Sequence, residues 1–260
     1  MTVGNMAAHV GHVDVAVGVL RVRLGFADEY AALEAACARA GNDLAAVVIE
    51  PVVERMPDEA WMRRARELCD RAGAVLIFDE MKTGFRLRVG GYQELSGITP
   101  DLATFGKAMA NGFPLAAVVG KAELMAAASR TWISSTLASE GTSLAAAGAV
   151  LDWHERAEIC EALWSTGAEM RDGVEAAIKA SGVEGVSVDG IDPMWLIRFD
   201  DPSRESRFLA LARAEGVMFK RGAYNFACIA HDARAVAAVE RAASTAFVEL
   251  RNEERGDADA

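Results

Sequence analysis

Residues 44–80 read LAAVVIEPVVERMPDEAWMRRARELCDRAGAVLIFDE and hold the pattern from which the fold can be inferred. The stretch starts and ends with continuous apolar runs, at 44–50 and 74–80, which are typical of strands buried on both faces. Between the runs, Asp58 can cap a helix that carries an apolar stripe and ends at Gly73. A strand, a helix and a second strand in this order predict a β-α-β unit, and hence a parallel or mixed sheet covered by helices.

The rest of the chain alternates in a similar way. Asp28 can cap a helix that carries Leu33, Cys37 and Ala40 on one face and stops near Gly41. Further along the chain we predict short strands at 101–105 and 115–120, helices over 142–181, strands around 194–199 and 217–220, and helices near 203–215 and 232–252. The last part, from the strand near 194 onward, indicates a smaller α+β domain.

Composition and charge exclude several classes of protein. The chain has 260 residues, of which 52% are apolar and 25% charged, as expected for a packed globular protein. A formal charge of −11 disfavours nucleic acid as a partner, because binding to a phosphate backbone needs clustered Lys and Arg. The four cysteines are far apart and show no metal-ligand spacing, so we expect free thiols and no metal.

The sequence also gives an expectation for location. No apolar run approaches the ~18 residues that a membrane span needs. The first residues lack the basic start of a secretory signal and are interrupted by His9, His12 and Asp14. We therefore expect a cytoplasmic protein with no membrane partner.

Polar residues follow three of the predicted strands. Glu50 ends the first strand, Asp79 and Glu80 end the second, and Lys107 follows the third after a glycine. In open α/β sheets, ligands bind beyond the carboxyl ends of the strands, so these positions are the first candidates for a site. Two structural explanations stay open at this point: the acids and the lysine can form an ion pair, and a strand-end Asp can cap a turn.

An acid-ended strand is also typical of P-loop nucleotidases. That class needs the sequence GxxxxGK[ST] as well, in which backbone N–H groups and the lysine hold the phosphates. Lys107 and Lys121 both follow a glycine, but each is followed by Ala, and neither has the earlier glycine. Motifs for dinucleotide binding, serine hydrolysis and zinc proteolysis are absent too, so these readings have no support.

A lysine and an acid at one sheet edge suit pyridoxal 5'-phosphate (PLP). A partly desolvated lysine amine at a strand end can act as the nucleophile that forms a Schiff base with this cofactor. A carboxylate paired with the pyridinium nitrogen keeps the ring an effective electron sink. Lys107 and Asp79 fit these two roles.

Four segments, in order along the chain, resemble one family of PLP enzymes. They are IEP at 49–51, FDEMKTGFR at 78–86, PDLATFGKAMANGFPLAAVVG at 100–120 and STLASEGTSLAAAGAVLD at 135–152. They are similar to class III aminotransferases, especially the glutamate-1-semialdehyde 2,1-aminomutase branch, and the similarity runs from about residue 26 to about residue 250.

This resemblance implies an α/β fold in which part of a PLP fold-type I large domain, with a mainly parallel sheet and helices, precedes a smaller α+β C-terminal domain. We place the PLP-binding large domain at 1–153, the small domain at 154–252 and an acidic, frayed tail at 253–260. The resemblance also implies a homodimer, with the cofactor between the large domain and the subunit interface.

The resemblance assigns roles to individual residues. Asp79 matches the partner of the pyridinium nitrogen, and Lys107 matches the Schiff-base lysine. Thr136 matches the residue that reaches the cofactor phosphate of the neighbouring subunit. Glu50 matches an acid that supports the site, although a satisfied strand-end carboxylate explains it equally well. Met81 stands where the family has a small branched residue against the ring face, and it can pack there or belong to the core.

The implied activity is PLP-dependent amino-group transfer or a 1,2-amino shift on a small amine or amino acid. Nothing before residue 26 matches the family's small-residue phosphate loop or its ring-stacking aromatic residue, so we expect the N-terminal part of the family to be missing. The alternative is therefore a non-catalytic portion, truncated or split, that acts only with a separate N-terminal half.

Overall fold

A computed structural model of the protein describes residues 12–17, 20–25, 29–130, 137 and 140–258. The chain divides into two compact units, residues 1–157 and residues 158–260. Each unit has its own sheet.

The first unit contains a six-stranded mixed sheet in the order β2-β1-β3-β4-β5-β6. Its strands are β1 (His12–Val17), β2 (Leu20–Gly25), β3 (Leu44–Ile49), β4 (Val75–Asp79), β5 (Leu102–Phe105) and β6 (Ala117–Gly120). The central strands β3, β4 and β5 are parallel, and the outer pairings are antiparallel. The predicted α/β fold is confirmed, with more antiparallel pairing at the edges than the sequence indicated.

Helices accompany this sheet. They are α1 (Glu29–Ala40), α2 (Glu59–Ala72), α3 (Tyr92–Ser96), α4 (Ala122–Met125) and α5 (Gly141–Arg156), with short 3₁₀ helices at Gly41–Asp43, Lys107–Ala110 and Ala126–Arg130.

The β-α-β unit forms as its sequence predicts. The carboxylate of Asp58 accepts hydrogen bonds from the first N–H groups of α2, and Gly73 ends the helix with a φ of 65°. Only glycine adopts this left-handed conformation without a steric cost. Trp61 and Ala65 of α2 are buried.

The second unit has a three-stranded antiparallel sheet in the order β7-β8-β9. Its elements are β7 (Val186–Ile191), β8 (Met194–Phe199) and β9 (Asn225–Phe226), with helices α6 (Ile159–Ser181), α7 (Pro202–Ala214) and α8 (Ala233–Ala258). Phe208 of α7 and Phe247 of α8 are fully buried and stack with ring centroids 4.4 Å apart. These aromatic rings form the centre of the unit's core.

The predicted strand at 217–220 is wrong, because the backbone there is bonded locally. The N–H of Lys220 donates to the side-chain Oδ1 of Asn225 at 2.8 Å instead of to a neighbouring strand. Gly216 and Gly222 on either side have φ values of 83° and 51°, which belong to turns. The strand lies a few residues later, at Asn225–Phe226, where Asn225 pairs with Trp195 of β8.

The expected fraying at 253–260 is also wrong for the part that the structure describes. Helix α8 continues to Ala258. Glu253 pairs with Arg207, and Glu254 pairs with Arg204 at 2.7 Å. Glu253 and Glu254, whose acidity suggested a frayed C-terminus, therefore form ion pairs that connect α8 to α7.

Candidate active site

Three of the residues predicted from the sequence lie at one edge of the sheet in the first unit. Glu50, Asp79 and Lys107 are placed at or just beyond the ends of β3, β4 and β5, respectively. Because these strands are parallel neighbours, their carboxyl ends meet at the same edge. Of the two other predicted residues, Met81 lies just after β4, and Thr136 lies outside the described residues.

The carboxylate of Asp79 is held through one of its oxygens. Its Oδ1 atom accepts a hydrogen bond from the backbone N–H of Met81 at 3.0 Å and another from Oγ1 of Thr104 at 3.3 Å. Both hydrogen bonds that Asp79 accepts within the described part of the chain end on Oδ1. The other oxygen, Oδ2, is therefore available to a donor from outside.

Thr104 contacts Asp79 at the candidate site, although the sequence patterns did not indicate it. It lies on β5, three residues before Lys107, and its Cα is the register partner of Asp79 on β4. The signal was present in the sequence: a residue near the end of one parallel strand lies beside the acid that ends its neighbour.

Lys107 begins the 3₁₀ helix that follows β5. Its side chain is exposed, and within the described ranges its amine has no ion-pair or hydrogen-bond partner. Its φ of 48° lies in the left-handed region, which costs a non-glycine residue ~1–2 kcal/mol. Strained backbone of this kind is concentrated at functional sites in proteins, because the surrounding structure must hold it in place.

The helix that starts at Lys107 is anchored by an apolar cluster. Met109 and Ala110 are buried and pack with Phe85, Phe105 and Ala147 of α5. The Phe85 and Phe105 rings meet edge to face, with centroids 6.1 Å apart. The cluster fixes the backbone beneath Lys107, while the lysine side chain itself stays exposed.

Met81 and Glu50 lie beside this edge and have different surroundings. A methyl group added to Gly106 would lie 2.4 Å from Cε of Met81, so the Met81 side chain covers the backbone just before Lys107. Glu50 forms an ion pair with Lys82, with its Oε1 atom 2.5 Å from Nζ. The Glu50 carboxylate is therefore paired with a neighbouring lysine at the end of β3.

Glu80 does not belong to the site, although it follows Asp79 directly. Successive strand residues point to opposite faces, and Glu80 is fully buried. Its carboxylate accepts the N–H groups of Tyr92 and Gln93 at 2.9 and 3.0 Å, at the start of α3, and the hydroxyl of Thr83. Burial raises the pKa of Glu80, and these hydrogen bonds oppose the shift only in part.

The described ranges offer no candidate for a membrane span or a metal site. They contain no helix long and apolar enough to cross a bilayer. Within the same ranges, no group of three or more His, Cys, Asp or Glu side chains could hold a metal ion.

Comparison with known proteins identifies the family. The profile of class III aminotransferases matches residues 4–229. This chain belongs to the class III aminotransferase family. The match begins well before residue 26, so the family likeness reaches further towards the N-terminus than the motifs indicated.

The curated relatives include glutamate-1-semialdehyde 2,1-aminomutases. The chain is 37% identical over 198 residues to that of Neisseria meningitidis (serogroup C, serotype 2a), covering 74% of this chain and 46% of the relative. It is 34% identical over 242 residues to that of Polynucleobacter asymbioticus, covering 85% of this chain and 56% of the relative. The chain thus spans about half the length of these relatives.

Solved structures agree on the fold. The FumI protein of Sphingopyxis sp. MTA144, in its PLP internal aldimine form, superposes with a TM-score of 0.82 at 27% identity, over 88% of this chain and 57% of FumI. An ornithine aminotransferase from Toxoplasma gondii has a TM-score of 0.77 at 22% identity, over 88% and 56% of the two chains. The fold is therefore that of the fold-type I transaminases, whose family uses PLP.

Proposed function

We propose that this chain supplies Lys107 and Asp79 to a PLP-dependent amino-group transfer or 1,2-amino shift, with Lys107 as the Schiff-base lysine. The observation that carries the proposal is the placement of both residues at the ends of neighbouring parallel strands in a class III chain. PLP, when bound, supplies an aldehyde for the imine and a ring that withdraws electrons from the substrate carbon.

The side chains at this edge fit the cofactor. The exposed amine of Lys107, which has no partner within the described ranges, would hold the cofactor through its aldehyde group. Asp79 offers Oδ2 to a protonated ring nitrogen, while its other oxygen is already satisfied. A free amine and a carboxylate oxygen are the two groups that the aldehyde and the ring nitrogen need from the protein.

Lys107 has a second proposed role once a substrate amine has displaced it. Its free Nζ can accept a proton from the substrate carbon and return it at another carbon. An exposed side chain on an anchored backbone suits this role, because the amine can move while the backbone of Lys107 stays fixed. Transfer and 1,2-shift share this proton transfer, so both remain within the proposal.

Other parts of the proposal rest on the family likeness. Met81 would pack beside the ring, and Glu50 would support the site through Lys82. Thr136 would reach the cofactor phosphate of a neighbouring subunit, which makes a homodimer part of the proposal. The substrate would be a small amine or amino acid, as the names of the aminomutase relatives indicate. We also propose a cytoplasmic location, because the four cysteines are far apart in the sequence, as expected for free thiols in a reducing compartment.

The test is a titration of the purified protein with PLP. We expect a visible absorbance band in the wild type, and mass spectrometry after borohydride reduction should find a pyridoxyl group on Lys107. Lys107→Ala should remove both signals. Lys179→Ala, at an exposed position of α6, is the matched control and should keep them. A wild type with no Lys107 adduct would contradict the proposal.

One observation favours the alternative, a non-catalytic portion that needs a second polypeptide. Large apolar side chains of the first unit are exposed on and around β6 and α5; they are Phe113, Val118, Val119, Leu144, Leu151 and Trp153. Exposed apolar surface of this kind often marks a protein interface. Size-exclusion chromatography during the PLP titration separates the cases, because a chain that forms the adduct alone or as a homodimer needs no second polypeptide.

A further inference from the structure

The two oxygens of Asp79 are not equivalent. Oδ1 accepts from the Met81 N–H and from the Thr104 hydroxyl, whereas Oδ2 has no donor within the described part of the chain. The backbone donor belongs to the turn after β4, two residues along the chain. The side-chain donor comes from another strand, 25 residues away.

Neither donor alone fixes the carboxylate. The final torsion of an Asp side chain is broad and roughly two-fold, so a single hydrogen bond leaves the plane of the carboxylate free to turn. The hydrogen bond from Thr104, on the neighbouring strand, restricts this rotation. The β-branched side chain of Thr104 has few allowed rotamers, and its Cα is in register with that of Asp79 across a parallel pairing.

The direction of the hydrogen bond also matters. An ionised carboxylate can only accept, so the Thr104 hydroxyl must donate its proton to Oδ1. A hydrogen bond to a charged acceptor is stronger than one between neutral groups. With Oδ1 engaged twice, Oδ2 becomes the oxygen that can meet an incoming N–H.

We infer that Thr104 is a positioning residue, which holds the carboxylate of Asp79 so that Oδ2 faces the protonated ring nitrogen of PLP. This inference rests on the function proposed above. Thr104 would act only through Asp79 and would not touch the reacting atoms. The hydroxyl, rather than the size of the side chain, is what the role requires.

The test compares Thr104→Val, which keeps the shape and removes the hydroxyl, with Thr104→Ser, which keeps the hydroxyl. Two measurements are made on each: the dissociation constant of PLP, and the nitrogen-15 NMR shift of PLP labelled at the ring nitrogen, across pH. For Thr104→Val we expect about tenfold weaker binding, from the loss of one hydrogen bond to a charged group. The ring nitrogen should also lose its proton at lower pH.

Thr104→Ser should restore both values to near those of the wild type. Thr104→Ala against Thr104→Ser forms a second pair that differs only by the hydroxyl, in case Thr104→Val does not fold. A Val variant whose ring-nitrogen shift and affinity equal those of the wild type would overturn the role of Thr104 and leave the proposed function intact. A Ser variant as weak as Val would also overturn it, since size would then be the cause. A wild type without a Lys107 adduct would overturn both proposals.

Discussion

The side chain of Met81 lies against Gly106, the residue that precedes Lys107. A β-carbon on Gly106 would lie 2.4 Å from Cε and 2.8 Å from Sδ of Met81. The φ of Gly106 is −179°, an extended value that any residue can adopt. A side chain at position 106 would therefore have to displace the end of the Met81 side chain, whereas the backbone conformation sets no limit there.

This contact predicts that two substitutions compensate each other. Gly106→Ala should lower the free energy of unfolding by ~0.5–1.5 kcal/mol, because the end of the Met81 side chain must leave its preferred rotamer. Met81→Ala removes the opposing atoms, so the double variant should lose less stability than the sum of the single variants. A double-mutant cycle in urea measures this coupling. Strictly additive losses would show that Met81 does not confine Gly106.

Because the backbone at Lys107 is left-handed, glycine and alanine should reverse at this position the order of stability that they have in ordinary helices. Lys107→Gly should be more stable than Lys107→Ala by ~1 kcal/mol, because glycine carries no steric cost at this φ. Neither variant has the lysine amine, so binding at that amine cannot influence the comparison. Ala108→Gly, one residue later in the 3₁₀ helix, is the control and should destabilise. Thermal unfolding of the three variants without cofactor decides the order.

The sequence was sufficient for the parallel centre of the sheet and for the position of Asp79 and Lys107. Two apolar runs, separated by a helix that Asp58 caps and Gly73 ends, leave little choice of structure between residues 44 and 80, because local capping and long-range burial require the same elements. The placement of these two residues at strand ends was predictable for a related reason, since the strand pattern and the family segments indicated the same positions.

What the sequence could not separate were the roles of adjacent acids. Asp79 and Glu80 look alike in AVLIFDE, but successive strand residues face opposite sides of the sheet. The backbone N–H groups that bind Glu80 lie a dozen residues later, at the start of α3, and no short-range pattern connects them to it. Strand β9 was missed for a similar reason, because its two residues are ordered by pairing with β8 and not by their own pattern.

The burial of Glu80 predicts how stability depends on pH. Because the pKa of Glu80 is raised in the folded state, its stabilising contribution is complete below the ordinary glutamate range, near pH ~4.3, and is lost as pH rises through the folded value. Glu80→Gln turns one acceptor into a donor opposite the N–H of Tyr92 or Gln93. It should therefore cost ~1–3 kcal/mol near pH 4.

The difference between wild type and Glu80→Gln should then shrink as pH rises towards 8. Urea unfolding at several pH values measures this difference in the free energy of unfolding. Glu155→Gln, at an exposed position, is the control for the removal of one carboxylate. A difference that grows with pH would show that the buried carboxylate is stabilised by its charge, contrary to this prediction.

Asp101 should show the opposite dependence on pH. It lies just before β5, at the other end of the strand from Lys107, and contacts Arg66 at 2.8 Å, Lys121 at 2.6 Å and the N–H of Leu76 at 2.7 Å. Burial on its own would raise the pKa of Asp101, but the hydrogen bonds from Lys121, Leu76 and Arg66 outweigh burial and lower it. Its contribution is thus present above the ordinary aspartate range and is lost as pH falls through the folded value.

Asp101→Asn should therefore cost ~2–3 kcal/mol at pH 7, because two cations and one backbone N–H lose a charged acceptor. The loss should narrow below pH ~4, where the wild-type carboxylate also becomes protonated. Lys121→Gln should cost less than ~1 kcal/mol, since more than half of that side chain is exposed and the ion pair is screened by water. Urea unfolding of both variants at pH 3 and pH 7 gives the ranking. Equal losses from the two variants at pH 7 would mean that Arg66 and the Leu76 N–H do not depend on Asp101, and that the amino end of β5 is held by strand pairing alone.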